Sequence, residues 1–375
     1  MSEVAAGHLA GEPAKVTRTR SLARIAKEQA ANIGWIAAAL LAALLVGAIA
    51  IRIQGIDPLS AYGAMATRAF GGWRAVGNTL KAATPLLLTG LGTAVVFRAG
   101  FINVGQEGQL YIGALVAAII ASADLGTPGW LQILIAMAAA TVAGAAWAAW
   151  PVFLRVRFNA NEIVTTLMSS YVAILAISWL VNGPLRPAGV AVGSTAPIRP
   201  AAHLPFVPGT PIGSCILIAV AAAIIFAVVF NRTPLGYEWK ILGHNAHTAR
   251  YAGLRPARLW LLAALASGGV CALAGAIEVL GVQFRFVEGL SPGLAYVGIL
   301  VALIARFSPA GIVLVAILFG AINAGAIGLE MASGVPAQIS SVIQGLMILF
   351  VAAPLGLPLD WIPCIGSFLS STSIL

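Results

Sequence analysis

Residues 100–113 read Gly100-Phe101-Ile102-Asn103-Val104-Gly105-Gln106-Glu107-Gly108-Gln109-Leu110-Tyr111-Ile112-Gly113, between two long apolar runs. One carboxylate and three amides stand here among four glycines. Inside a bilayer no water satisfies such groups, so they require protein partners, a lined cavity or a solute. An ionisable residue at that depth is by default a functional-site hypothesis. The stretch therefore reads as an interrupted helix inside a membrane domain.

The composition around it agrees. The chain has 375 residues, 60% hydrophobic and 9% charged, with a mean hydropathy of +0.97. A soluble domain carries about 25% charged residues, so this is an all-α polytopic membrane protein. Apolar runs able to cross a core of about 30 Å predict about ten transmembrane helices, near 33–52, 79–98, 106–123, 130–154, 162–182, 213–231, 258–281, 293–306, 309–329 and 337–355. Glycines and polar residues interrupt the starts of the third and the eighth. The apolar run at 34–51 is too long for a cleaved signal peptide and has no small-x-small exit, so it reads as a retained first span.

The organisation predicted is a basic cytoplasmic tail at 1–30, a transmembrane domain at 31–360 and a tail at 361–375. An even number of spans puts both termini on one side, and the positive-inside rule puts that side in the cytoplasm. The larger share of the 21 basic residues then falls inside, including Arg98, Arg155, Arg232, Lys240, Arg250 and Arg306. That placement accounts for the net charge of +9 without nucleic acid, and the basic stretches lack the interleaved aromatics of a single-strand binding groove. The external loop 183–212 is rich in Pro and Gly, and its length marks it as ordered by packing and exposed to a partner.

Tyr111-Ile-Gly-Ala-Leu-Val-Ala-Ala-Ile119 is echoed by Tyr296-Val-Gly-Ile-Leu-Val-Ala-Leu-Ile304. Five crossings separate the two, so they run in opposite directions and predict an inverted internal repeat. Paired, glycine-interrupted spans in corresponding positions point to the substrate site of a transporter. The second member carries Glu288 beside Gly289, as the first carries Glu107 beside Gly108. The residues read as substrate pathway or gate are Asn103, Gln106, Glu107, Gln109 and Glu288. Their alternative role is to cap broken helices and hold the fold in register.

In the fifth span Asn161, Thr165 and Ser169 form one helical row, and Glu162, Thr166 and Ser170 the next. This polar stripe is either a pathway wall or helix–helix adhesion, which Ser and Thr supply in membranes at about 1 kcal/mol each. In the internal loop 232–258, Asn245 is a good N-cap and Gly253 a good C′ residue. They bound a helix of about two turns, whose small face of Ala246, Ala249 and Gly253 suits another protein's groove. His244 and His247 lack a carboxylate or thiol companion, so no metal site is read there. Cys215, Cys271 and Cys364 stand singly as apolar fillers. No GxxxxGK[ST] loop or HExxH occurs. The chain reads as a transporter and not an enzyme, and any energy source other than an ion gradient belongs to a separate subunit.

Three stretches together, GFINVGQEGQ (100–109), NEIVTTLMSSYVA (161–173) and LGHNAHTARYAGL (242–254), resemble the permease subunits of ATP-binding-cassette importers for simple sugars and nucleosides. The resemblance runs from about residue 80 to 355, and the EGQ form points to the nucleoside branch. It implies an ATPase partner carrying ATP–Mg, a second permease, an extracytoplasmic substrate-binding protein and a bacterial inner membrane, with no cofactor in this chain. It also implies that Gly243, Asn245, Ala246, Ala249, Arg250 and Gly253 belong to the coupling helix that docks on the ATPase. Ser169-Ser170 replaces the family's Leu-Asn, Lys240 stands where Arg is common, and Thr248 where Ala is common. An ion-coupled secondary transporter is the alternative that inverted repeats alone equally allow.

Overall fold

Residues 41–49, 51–53, 55–210, 212–333, 342 and 344–346 are described by the structure, a computed structural model. Both predicted tails, the start of the first span and most of the tenth lie outside the described residues. The helices are α1 (Leu41–Ile53), α2 (Pro58–Phe70), α3 (Trp73–Arg98), α4 (Gln106–Ser122), α5 (Gly129–Phe158), α6 (Glu162–Asn182), α7 (Cys215–Arg232), α8 (Pro234–His244), α9 (Ala246–Tyr251), α10 (Pro256–Glu278), α11 (Leu294–Ile304) and α12 (Pro309–Ser333).

Among the described residues six helices are long and apolar enough to cross a membrane, or seven if the bent pair α1–α2 counts as one span. The chain is a multi-pass membrane protein. The third and eighth expected spans are shorter than drawn from sequence. α4 has 17 residues and α11 only 11, about 16 Å at the helical rise. α2 was not expected at all. Asp57 caps it, its carboxylate accepting from the Ser60 N–H at 3.0 Å, and Pro58 opens it.

α3 is the hub, packed by α10, α11, α12 and α7 and buried almost continuously from Thr79 to Val96. From Ala83 to Val96 it carries no charged or amide side chain, as a helix stretch enclosed on all sides should. The hydroxyls of Thr84, Thr89 and Thr93 return to the carbonyls of Leu80, Pro85 and Thr89 at 2.8, 2.8 and 3.0 Å, so none is left unpaired in the dry interior.

Small residues set the helix spacing. A Cβ on Gly113 of α4 overlaps the Ala272 backbone of α10, and one on Gly275 of α10 overlaps the Leu110 carbonyl of α4. Gly144 and Gly268 hold α5 against α10 in the same way. Lipid tails are as apolar as leucine, so close van der Waals contact carries this association.

The external loop 183–212 is docked onto the segment that precedes α11. The N–H groups of Thr195 and Ile198 donate to the Phe286 and Phe284 carbonyls at 3.0 and 2.9 Å, and the Glu288 N–H donates to Gly193 at 2.8 Å. His203 stacks on Phe284 with ring centroids 4.2 Å apart. This is the ordering by packing that the loop's composition predicts.

Candidate functional site

After Arg98 the chain turns through Gly100, whose φ of +69° suits glycine, and continues without regular structure to Gly105. Three of its backbone donors meet side chains. Val104 N–H donates to Thr166 Oγ1 at 3.1 Å, Gly105 N–H to Asn103 Oδ1 at 2.9 Å, and Gly108 N–H to Ser170 Oγ at 3.0 Å. Asn103 Nδ2 donates to Gln109 Oε1 at 3.2 Å and reaches Ser267 Oγ of α10 at 3.5 Å. Thr93 Oγ1 donates to Gln106 Oε1 at 3.0 Å. A broken helix in a water-free interior needs such partners, and among these side chains Gln106 Nε2 alone is buried without one.

Glu107 does more. It lies in the first turn of α4, and its carboxylate accepts from Ser291 Oγ at 2.9 Å, Gly293 N–H at 3.0 Å and Ala295 N–H at 2.9 Å. The last two donors open α11. One carboxylate therefore faces the positive ends of two half-length helices. Tyr111, one turn along, packs edge-on against Phe286 at 5.9 Å and donates from its hydroxyl to the Ser291 carbonyl at 3.4 Å. The two echoing segments meet here.

The structure sorts the residues singled out from sequence. Asn103, Gln106, Glu107 and Gln109 are all buried, each 2% exposed or less. Asn103 and Gln109 bond each other, Gln106 meets Thr93 of α3 and Glu107 the start of α11, so they do not line an open path in this conformation. Ser169 is buried and accepts from Trp150 Nε1 of α5 at 3.1 Å, while Thr165 bonds back to the Asn161 carbonyl of its own helix at 3.0 Å. With Thr166 and Ser170 holding the segment before α4, most of the polar stripe acts between helices.

Glu288 stands apart from this cluster. It is exposed, and its carboxylate accepts from Asn182 Nδ2 at 2.8 Å and from the Ser178 hydroxyl. These bonds, Asn182's first, hold the carboxyl below the usual carboxylate range. It ties the C-terminal end of α6 to the segment before α11 and does not pair with Glu107's site.

At the opposite end α9 has the bounds its caps predict. Asn245 Oδ1 accepts from the N–H groups of His247 and Thr248 at 2.7 and 3.2 Å, and Gly253 takes φ +78°. The direction of the small face is the correction. Ala249 is fully buried where α9 packs on α8 and α10, and Ala246 is half-buried. That face is used inside the chain, and Gly243 lies against the Arg98 backbone. Exposed instead are His247, Thr248, Arg250 and Tyr251, the last 93% exposed. Hydrophobic periodicity gives a face but not which neighbour it meets.

Sequence reading passed over two further groups. Glu278, at the end of α10, is buried, and Lys81 of α3 lines the same cleft. The rule that singled out Glu107, a carboxylate inside an apolar run, applies equally to Glu278. Among the described residues no three His, Cys, Asp or Glu side chains cluster as metal ligands do.

Residues 75–352 match the family model described as "Branched-chain amino acid transport system / permease component". The chain is 35% identical to a glucose ABC transporter permease protein of Haloferax volcanii, over 83% of this chain and 85% of the relative. It is 32% identical to a guanosine ABC transporter permease protein of Bacillus subtilis, over 84% and 91%. It is 28% identical to a nucleoside ABC transporter permease protein of Lactococcus lactis, over 84% and 89%. The ion-coupled alternative finds no relative among these. A family matched over most of the chain, with relatives that are transporter permeases over nearly their whole length, implies an ATPase and a substrate-binding protein as partners. The chain belongs to the ABC transporter permeases, within the family of branched-chain amino acid transport permease components.

Proposed function

We propose that this permease imports nucleosides or simple sugars, handed over by an external binding protein and moved by a separate ATPase that carries the ATP–Mg. The observation that carries this reading is the likeness to guanosine and glucose permeases at 32% and 35% identity over more than four-fifths of the chain. A second permease, identical or related, completes the membrane unit. The chain sits in lipid in the cytoplasmic membrane, the inner membrane of a bacterium, with both termini inside; the excess of Lys and Arg in the loops assigned to that side supports the orientation. Ten spans in two inverted halves is the architecture it fits, with α4 and α11 as corresponding half-helices. The domain limits remain 1–30, 31–360 and 361–375.

Within that unit the cluster of Asn103, Gln106, Glu107 and Gln109 acts as a gate support, holding the two half-helices at one depth. Ser169 and Thr165 belong to its surround, and Glu288 to the external face with loop 183–212, where the binding protein arrives. α9 is the ATPase contact through Arg250, Tyr251 and their neighbours, with Asn245 and Gly253 fixing its ends and Gly243, Ala246 and Ala249 seating it on the chain.

Reconstitution with the ATPase and binding protein tests the cargo. ATP-dependent uptake of a labelled nucleoside is expected, with unlabelled nucleosides or hexoses competing and leucine without effect. Competition by leucine alone contradicts the reading.

A further inference from the structure

The buried polar cluster leaves open where cargo is met, and a second feature answers it. A cleft of about 370 Å³ lies between α3, the end of α10, the start of α11 and α12. Its polar lining is Arg68, Asn78, Lys81, Glu278 and Asn323. Pro85, Leu294 and Ile327 supply an apolar wall. Pro85 also cannot donate the intrahelical bond to the Lys81 carbonyl, which leaves that oxygen as a further acceptor beside the cleft.

Three observations set this cleft apart from a packing gap. Glu278 is buried near the C-terminal end of a helix, where the peptide dipoles disfavour a carboxylate. Its contacts are the Gln283 side chain and the charge of Lys81, not a tight ion pair. Secondly, α10 turns into a π-helical turn at Val279–Gln283, immediately after Glu278, and such turns recur at functional sites. Thirdly, the cleft continues into a wider one of about 650 Å³ that shares Arg68 and Asn78 and reaches the α2–α3 turn at Gly71 and Gly72. Ala75, Asn78, Lys81, Ala82 and Pro85 follow one face of α3 for about 15 Å of rise. In the orientation proposed above this is a polar route from the external surface into the membrane domain.

We infer that this cleft is where the permease receives its cargo, and that it recognises a hydroxyl-bearing ring such as ribose or a hexose. The inference rests on the nucleoside or sugar reading for the ligand's class, and on this chain's own residues for the site. A carboxylate, an ammonium group, a guanidinium group and two amides facing one small space offer both acceptors and donors, as vicinal hydroxyls require. The apolar wall takes the ring face. The volume falls at the small end of ligand sites.

The test uses the complete importer in proteoliposomes. Glu278→Gln and Lys81→Gln are expected to lower cargo moved per ATP hydrolysed about tenfold, with partial recovery in Glu278→Asp and Lys81→Arg. An unchanged ratio overturns the site, whether or not both rates fall together. Should the variants fail to assemble, Asn78→Cys decides. A membrane-impermeant thiol reagent applied outside should modify it and block uptake, while modification of Leu125→Cys, 45% exposed in the turn after α4, should not. Asn78→Cys that stays unmodified, or is modified without loss of uptake, overturns the inference. The wild-type competition series separates the two claims. If leucine is the solute moved, the cargo reading fails and the hydroxyl assignment with it, while the same variants assayed with leucine still test the cleft.

Discussion

At Glu107 three donors depend on one side chain, two of them backbone N–H groups that open α11. Replacing it with alanine leaves them unpaired in a dry interior, at about 1–3 kcal/mol for each. Glu107→Ala should therefore lower the stability of the detergent-solubilised complex by on the order of 3 kcal/mol or more. Glutamine keeps one acceptor oxygen but turns an NH₂ toward the remaining donors, so Glu107→Gln should fall between alanine and wild type. Thermal unfolding followed by circular dichroism orders the three. An alanine variant as stable as wild type would show that the carboxylate holds nothing together. The reading of Glu107 as a group needing partners was available from sequence, because an apolar setting alone demands them. Which partners was not, since Ser291, Gly293 and Ala295 lie 184 to 188 residues away and only the tertiary fold brings them close.

Between elements, fit is set by glycines. Gly113 has no room for a side chain against the α10 backbone, whereas a Cβ on Gly63 of α2 meets nothing within 4 Å. Gly113→Val forces α4 off α10 and should cost about 1–3 kcal/mol or more, the range for overpacking. Gly63→Ala should be neutral or stabilising by up to about 1 kcal/mol, through helix propensity. A comparison of melting temperatures checks both, and equal shifts would remove the argument from close packing. The elements themselves were unevenly legible. α9 was readable to the residue because its caps bond only two or three positions along the chain. α3, α5, α6, α7, α10 and α12 were readable from length and hydropathy. α2 was missed although Asp57-Pro58 is a helix-start signal, because the segment is neither apolar nor long. The small face of α9 was identified but pointed the wrong way, since burial against α8 and α10 is not written in local sequence.

For the whole molecule, the arrangement separates three regions. Loop 183–212 and Glu288 order the end where the segment before α11 docks. The Glu107 clasp holds α4 and α11 end to end in the interior, so that movement of one half-helix is felt by the other. α9 rests on α8 and α10 at the far end, with Arg250 and Tyr251 exposed. Under the proposed function these ends must communicate, with α9 as the proposed ATPase contact. The direct measurement is the number of cargo molecules moved per ATP hydrolysed in the reconstituted importer carrying Arg250→Glu and Tyr251→Ala. The account predicts that ATP hydrolysis persists while uptake falls about tenfold, because the pair disturbs the docking face and leaves Ala249 and the fold untouched. Uptake that stays tightly coupled to hydrolysis in this variant would contradict it.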